Sequence, residues 1–241
     1  YAANHNDDSV SVYSVNVATG QLRHSGYVAA GTDPRAVTVY GGKFVYVANG
    51  GSNNVSAYAI NPTTGALTSV GPAVAAGTAP VSVTVDRYGR FAYVANLLSY
   101  NVSAYTINAT TGALTSVGPP VATGTSPYSV TVDPTGKFAY VANGGSNNAE
   151  ACTINATTGA LTSIGAAVAA GTSPYSVTVD PTGKFAYVAN QFSNNVSAYT
   201  INATTGALTS IGAAVAAGTR PRSVTVDPTG KFAYVANGGS N

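Results

Sequence analysis

The sequence contains no methionine and no tryptophan, one cysteine and two histidines, and only 7% of its residues are charged. Each scarcity excludes something. A lone cysteine, Cys152, rules out an intrachain disulfide, and it reads as a small, inert, buried hydrophobe. His5 and His24 are not accompanied by the several spaced ligands that a zinc site needs, so no metal and no cofactor is expected. No run reaches the ~18 apolar residues of a membrane span, so no membrane insertion is expected. The net charge of +2 is spread without a basic run. It therefore lacks the electrostatic footprint of nucleic-acid binding. No segment shows helical periodicity with a cap, so a phosphate-cradling glycine loop opening a helix is also absent.

What is present is 45% apolar residues, with polarity supplied by Ser, Thr and Asn. Such a low-charge composition points to an exported, extracellular or cell-surface protein of bacterial style. The chain opens at Tyr1 in mid-pattern, as a piece of a longer product would.

The dominant feature is repetition. A Gly-Thr-x-Pro start recurs at Gly31, Gly77, Gly124, Gly171 and Gly218, at spacings of 46, 47, 47 and 47 residues. Residues 124–170 and 171–217 differ only at Gly144/Gln191, Gly145/Phe192, Ala149/Val196, Glu150/Ser197 and Cys152/Tyr199. A fixed period in the forties is the signature of a repeat architecture. Within one period, Ser129–Asp133 alternates as a strand, Asp133-Pro134-Thr135-Gly136 is a turn, and Phe138–Ala142 is a second strand. Asn195–Asn202 is the third, and a turn at Ala203–Gly206 leads to a fourth from Ala207 to about Ile211. Four short antiparallel strands per period make a propeller blade, with a β-helix a distant second.

The expected fold is therefore all-β: a β-propeller of four-stranded antiparallel blades, five in number, from near-identical 47-residue repeats. Residues 1–241 form one domain, with repeats at 31–76, 77–123, 124–170 and 171–217. Residues 1–30 and 218–241 supply a closing blade, in which the strand at Ser223–Asp227 completes the N-terminal set. Pairing of the terminal strands closes the ring and removes its open edge. One strand is then surplus, because the chain both begins and ends on the second strand of a blade.

Tyr-Val-Ala-Asn at 46–49, 93–96, 140–143, 187–190 and 234–237 closely resembles the YVTN propeller repeat. The preceding S-P-x-x-V-x-V-D-P-x-G-K belongs to the same pattern. That repeat is shared by lactonase-like (6-phosphogluconolactonase-like) propellers and by surface-layer proteins. The resemblance implies about seven blades, and hydrolysis of a sugar lactone by polar residues at the axial end. No residue here matches a lactonase active-site motif, and fold alone does not fix activity.

The copies differ in two places. One is the loop after the second strand, including Leu97, Leu98, Tyr100, Gln191 and Phe192. The other is the pair flanking the proline, including Asp33/Arg35, Ser126/Tyr128, Ser173/Tyr175 and Arg220/Arg222. In an up-and-down blade both lie on one face. Loops on a rigid scaffold are where binding concentrates, and Tyr, Phe and Arg are common anchors. The expected function is a non-enzymatic surface module that binds a protein or glycan, multivalently, through this face. The alternative is a lactonase-like hydrolase. Ring closure would bring Arg220 and Arg222 beside His5, Asp7, Asp8, Asp33 and Arg35, and His5 with Arg220 and Arg222 is the one catalytic candidate. Asp86, Asp133, Asp180 and Asp227 read as turn caps, and the Asn-x-Ser/Thr sequons at Asn54, Asn101, Asn108, Asn155, Asn195 and Asn202 as strand-end and turn residues.

Overall fold

The computed structural model describes residues 1–239, and they contain strands and no helix. The chain opens with a sheet of β1 (Ala2–Asn4), β2 (Ser9–Val15) and β3 (Leu22–Ala29). The first complete blade comprises β4 (Pro34–Tyr40), β5 (Phe44–Asn49), β6 (Asn54–Ile60), β7 (Leu67–Ser69) and β8 (Val74–Ala75). The second is β9 (Pro80–Val85), β10 (Phe91–Asn96), β11 (Asn101–Ile107), β12 (Leu114–Ser116) and β13 (Val121–Ala122). The third is β14 (Pro127–Val132), β15 (Phe138–Asn143), β16 (Asn148–Ile154), β17 (Leu161–Ser163) and β18 (Val168–Ala169). The fourth is β19 (Pro174–Val179), β20 (Phe185–Asn190), β21 (Asn195–Ile201), β22 (Leu208–Ser210) and β23 (Val215–Ala216). A last hairpin joins β24 (Pro221–Val226) to β25 (Ala233–Asn237).

Within each blade the strands run in order a, b, c and d, each antiparallel to its neighbour. The outer strand d is broken in two. In the fourth blade both β22 and β23 pair with β21, on either side of a Gly-containing kink. Strand b (FAYVAN in the middle copies) is buried along its length, because blades stack face on face and it sits in the middle of each. The core lies between blades: Phe91, Tyr93 and Val102 of the second pack with Val141, Cys152 and Ile154 of the third.

Two ladders of side-chain hydrogen bonds fix the stacking. Tyr46, Tyr93 and Tyr140 on strand b donate their hydroxyl hydrogens to Gly112, Gly159 and Gly206 of the next blade, at 2.9–3.0 Å. Those glycines admit no side chain, since a Cβ at Gly112 would lie 2.4 Å from Phe44 Cδ1. Along the inner strands, Val130, Val177 and Val224 N–H groups donate to Ser82, Ser129 and Ser176 Oγ of the preceding blade.

The all-β propeller of repeated four-stranded blades is what the repeat predicts, with the strand complement of five blades. The closing pairing is not made. Among the described residues β1 pairs only with β2, and β24 only with β25. Thus 1–30 and 218–241 form separate part-blades rather than a shared closing blade. The reason is local. Strand β1 is paired on one edge only, by β2, while β24 finds its partner β25 across a short turn. Pairing β24 with β1 would close a loop of more than two hundred residues at greater entropic cost.

Candidate functional site

The b–c loops and d–a segments form one face, and hydrogen bonds tie them together. Gly50 N–H donates to Asp33 O and Gly51 N–H to Thr32 O, at 2.7 and 2.9 Å. The pattern recurs at Leu97 and Leu98, at Gly144 and Gly145, and at Gln191 and Phe192. Neighbouring blades are linked as well. Asp33, Ala79, Ser173 and Arg220 N–H groups each donate at 2.8 Å to a side-chain oxygen of the preceding b–c loop, from Asp8, Asn53, Asn147 and Asn194. Both ends of this link are left-handed: φ is 48–55° at Asp8, Asn53, Tyr100, Asn147 and Asn194, and 54–55° at the residues before proline. Asn and Asp tolerate that region best, and Tyr100 does not.

The residue after each proline is a β-bulge. Pro127 pairs with Asn143 and Ser129 with Ala142, leaving Tyr128 without a partner, and Pro174/Ser176 and Pro221/Ser223 repeat the shift. A bulge re-aims its side chain. Three successive bulge residues therefore form a row: Tyr128 stacks on Tyr175 with centroids 4.6 Å apart, and the Arg222 guanidinium lies 5.7 Å from the Tyr175 ring centre. With its amide oxygen turned toward Arg222, buried Gln191 accepts from Nε at 3.1 Å and from an Nη at 3.3 Å. In the third blade, Gly144 leaves room for Tyr128, whose ring a Cβ there would meet at 2.6 Å.

A second cluster lies at the other end of the chain. Asp33 Oδ1 accepts from Arg35 Nε at 2.6 Å and lies 3.0 Å from His5 Nε2, while His5 Nδ1 lies 2.8 Å from Asn6 Oδ1. The candidate trio is not assembled. His5 belongs with Asp33 and Arg35, whereas Arg222 belongs with Tyr175 and Gln191, and Arg220 N–H is tied to Asn194. With β24 packed on β19 and β20 rather than beside β1, the expected sector of charge divides into two. Leu98 and Phe192 are loop tips, 59% and 62% exposed, and Tyr100 is exposed too. Leu97 is half-buried.

The aspartates cap turns as expected. Asp133 Oδ1 accepts from the N–H groups of Lys137 and Phe138 at 2.9 and 2.8 Å, and Oδ2 from Thr135 N–H at 3.0 Å. Similar bonds outweigh burial at Asp180 and hold its carboxyl below the usual range. The Thr229 hydroxyl leads in bringing Asp227 down to about 2. Asn108, Asn155 and Asn202 cap the c–d turns, each through Oδ1 to two N–H groups. No cluster of three His, Cys, Asp or Glu residues suited to a metal occurs among the described residues. What the sequence hid was the bulge. Its trace was the variable residue after proline; what that side chain meets is set by the adjoining blades.

No curated protein gives a significant sequence match. Among solved structures, a candidate 6-phosphogluconolactonase from Bacteroides uniformis superposes at a TM-score of 0.86 with 21% identity, over 96% of this chain and 72% of that one. A similar protein from Bacteroides fragilis gives 0.81 and 23%, over 92% and 68%. The periplasmic gluconolactonase of Pseudomonas aeruginosa gives 0.76 and 21%, over 88% and 64%. At these identities the likeness shows the fold alone, and the chain spans about two thirds of each relative's length. The family model for lactonase, a seven-bladed β-propeller, matches residues 1–85, 74–178 and 169–241, so the chain belongs to that family.

Proposed function

We propose that this chain binds and hydrolyses a sugar-acid lactone on the face built by its b–c loops and d–a segments. The family match and the lactonases among its structural relatives favour hydrolysis over a purely structural role. The observation that carries the reading is the row Tyr128–Tyr175–Arg222 braced by Gln191. A flat phenol ring suits the C–H face of a sugar. A guanidinium held by both a ring and an amide suits a carboxylate or phosphate substituent.

Hydrolysis adds water to the lactone carbonyl, breaks the ring acyl–oxygen bond and releases a hydroxy acid and a proton. His5, oriented by Asp33, is the imidazole available on this face. Both its ring nitrogens face oxygen acceptors. It can take a proton from water only when the Asn6 contact opens and frees Nδ1. That engagement favours one second reading, a propeller that holds a sugar acid without turning it over.

A pH-stat measurement of proton release from gluconolactone and its 6-phospho form, corrected for spontaneous hydrolysis, tests the proposal. Acceleration that His5→Ala abolishes, and that Arg222→Ala weakens through KM, is the expected result. Binding of gluconate or 6-phosphogluconate by calorimetry without acceleration supports the second reading. Neither turnover nor binding overturns both.

A further inference from the structure

The opposite face, made by the a–b and c–d turns, collects the chain's cations. Lys43, Arg87, Arg90, Lys137, Lys184 and Lys231, six of its ten, sit in successive a–b turns and are exposed. The turns abut one another: a Cβ at Gly89 would collide with the Tyr40 ring, and one at Gly136 would lie 3.3 Å from Tyr88 Cε2. Of the carboxylates beneath, Asp86, Asp133 and Asp180 are buried and Asp227 is half-buried, all bonded to their own turns. Negative charge therefore points inward and positive charge outward.

The second blade departs from its sisters here. Where three copies read Asp-Pro-Thr-Gly-Lys, it reads Asp86-Arg87-Tyr88-Gly89-Arg90. Tyr88 is 53% exposed, and the Arg87 and Arg90 guanidinium carbons lie 5.6 and 5.0 Å from its ring centre. Both arginines are braced against the next blade, Arg87 Nη1 on Pro134 O at 3.2 Å and Arg90 Nη1 on Ala156 O at 3.1 Å. Arg90 Nε also lies 3.3 Å from Asp86 Oδ2. Each guanidinium has five N–H donors and spends only one or two of them on these partners, so donors remain for a ligand.

We propose that this Arg87–Tyr88–Arg90 cluster is a second binding site, for an acidic polysaccharide lying across the a–b face. The phenol ring offers a stacking surface for one sugar. The two planar guanidiniums match its carboxylate or sulfate groups bidentately, and the lysines of adjoining blades follow the chain outward. A single-stranded nucleic acid would need successive stacking platforms. Within the described a–b turns Tyr88 is the exposed ring, Tyr40 being packed on Gly89, while the exposed Phe185 and Phe232 lie just past their turns. The site is independent of the lactonase reading and lies on the opposite face of the blades.

Polygalacturonate and dextran sulfate, with neutral dextran and single-stranded DNA as controls, are titrated against the whole chain at low ionic strength, where a Debye length of ~20 Å leaves surface charge effective. Binding to the acidic polysaccharides but not to dextran, weakening as salt rises, is expected. The combined change Arg87→Pro, Tyr88→Thr, Arg90→Lys rewrites the turn as its folded sister blades have it. It should weaken binding about tenfold, as loss of stacked, bidentate contacts implies. Tyr88→Ala alone should weaken it less. No binding, equal binding by the rewritten turn, or equally tight binding of DNA overturns the proposal.

Discussion

The hydroxyl of Tyr199 donates to the main-chain oxygen of Ala169 in the preceding blade, at 2.8 Å. Tyr58 and Tyr105 make the same bond to Ala29 and Ala75, both at 2.7 Å. In the third blade the position is Cys152, which is too short to reach Ala122. The groove between the second and third blades, lined by Val121 and Leu161, measures about 460 Å³, against 170 and 160 Å³ at the two sister interfaces. Cys152→Tyr should therefore restore the hydrogen bond that the equivalent tyrosines make. A gain of about 1 kcal/mol would raise Tm by about 2–4 °C in calorimetry.

Tyr100 occupies a left-handed position, φ 52°, that Asn holds in three other blades, where its amide oxygen links to the next blade. Tyr100→Asn relieves backbone strain and supplies an acceptor for Ser126 N–H. The expected gain is about 1 kcal/mol, read as a higher urea midpoint at unchanged slope.

Acid should loosen the turns. Hydrogen bonds depress the carboxyls of Asp180 and Asp227, the latter to about 2. A depressed folded value means stability that is complete above the unfolded carboxyl range, ~4, and lost as pH falls through the folded value. Circular dichroism melts should show Tm declining between about pH 4 and pH 2. Asp180→Asn should flatten part of that decline.

Cys152 is 2% exposed. Burial, followed by the nearby Glu150 carboxylate, pushes its thiol up to about 12. The thiolate is the reactive form, so iodoacetamide at pH 8 should leave the native chain unlabelled and modify it only in denaturant. Rapid labelling of the folded protein would contradict the packing of the third blade.

A charge test separates the clusters on the face of b–c loops and d–a segments. Asp33→Asn should release Arg35 and His5 from their shared oxygen, lowering any lactone turnover. The affinity for a sugar acid at Tyr175 and Arg222 should persist, because those groups share no partner with Asp33.

Much of this was legible in the residues themselves. Strand b reads as FAYVAN because it is buried on both sides, and Asp-Pro-Thr-Gly closes a turn by its own side-chain bonds. Position-specific variation also pointed to segments that the fold ties together on one face, since copies of one repeat share every requirement except those imposed by function or drift. The bulge at Tyr128 was not legible, because a bulge exists only against its partner strand.

By itself, then, the sequence determined what is local and periodic: strands, turns and the blade, each satisfied by neighbours within one 47-residue copy. Tertiary structure decided whatever depends on how copies stack. It left β1 and β24 unpaired with each other, because a local hairpin outcompetes a distant partner. It parted His5 from Arg222 and set Arg222 over Tyr175. It also gathered six scattered cations onto one face, because a charge repeated once per blade forms no run along the chain yet becomes a patch when the blades are arranged side by side.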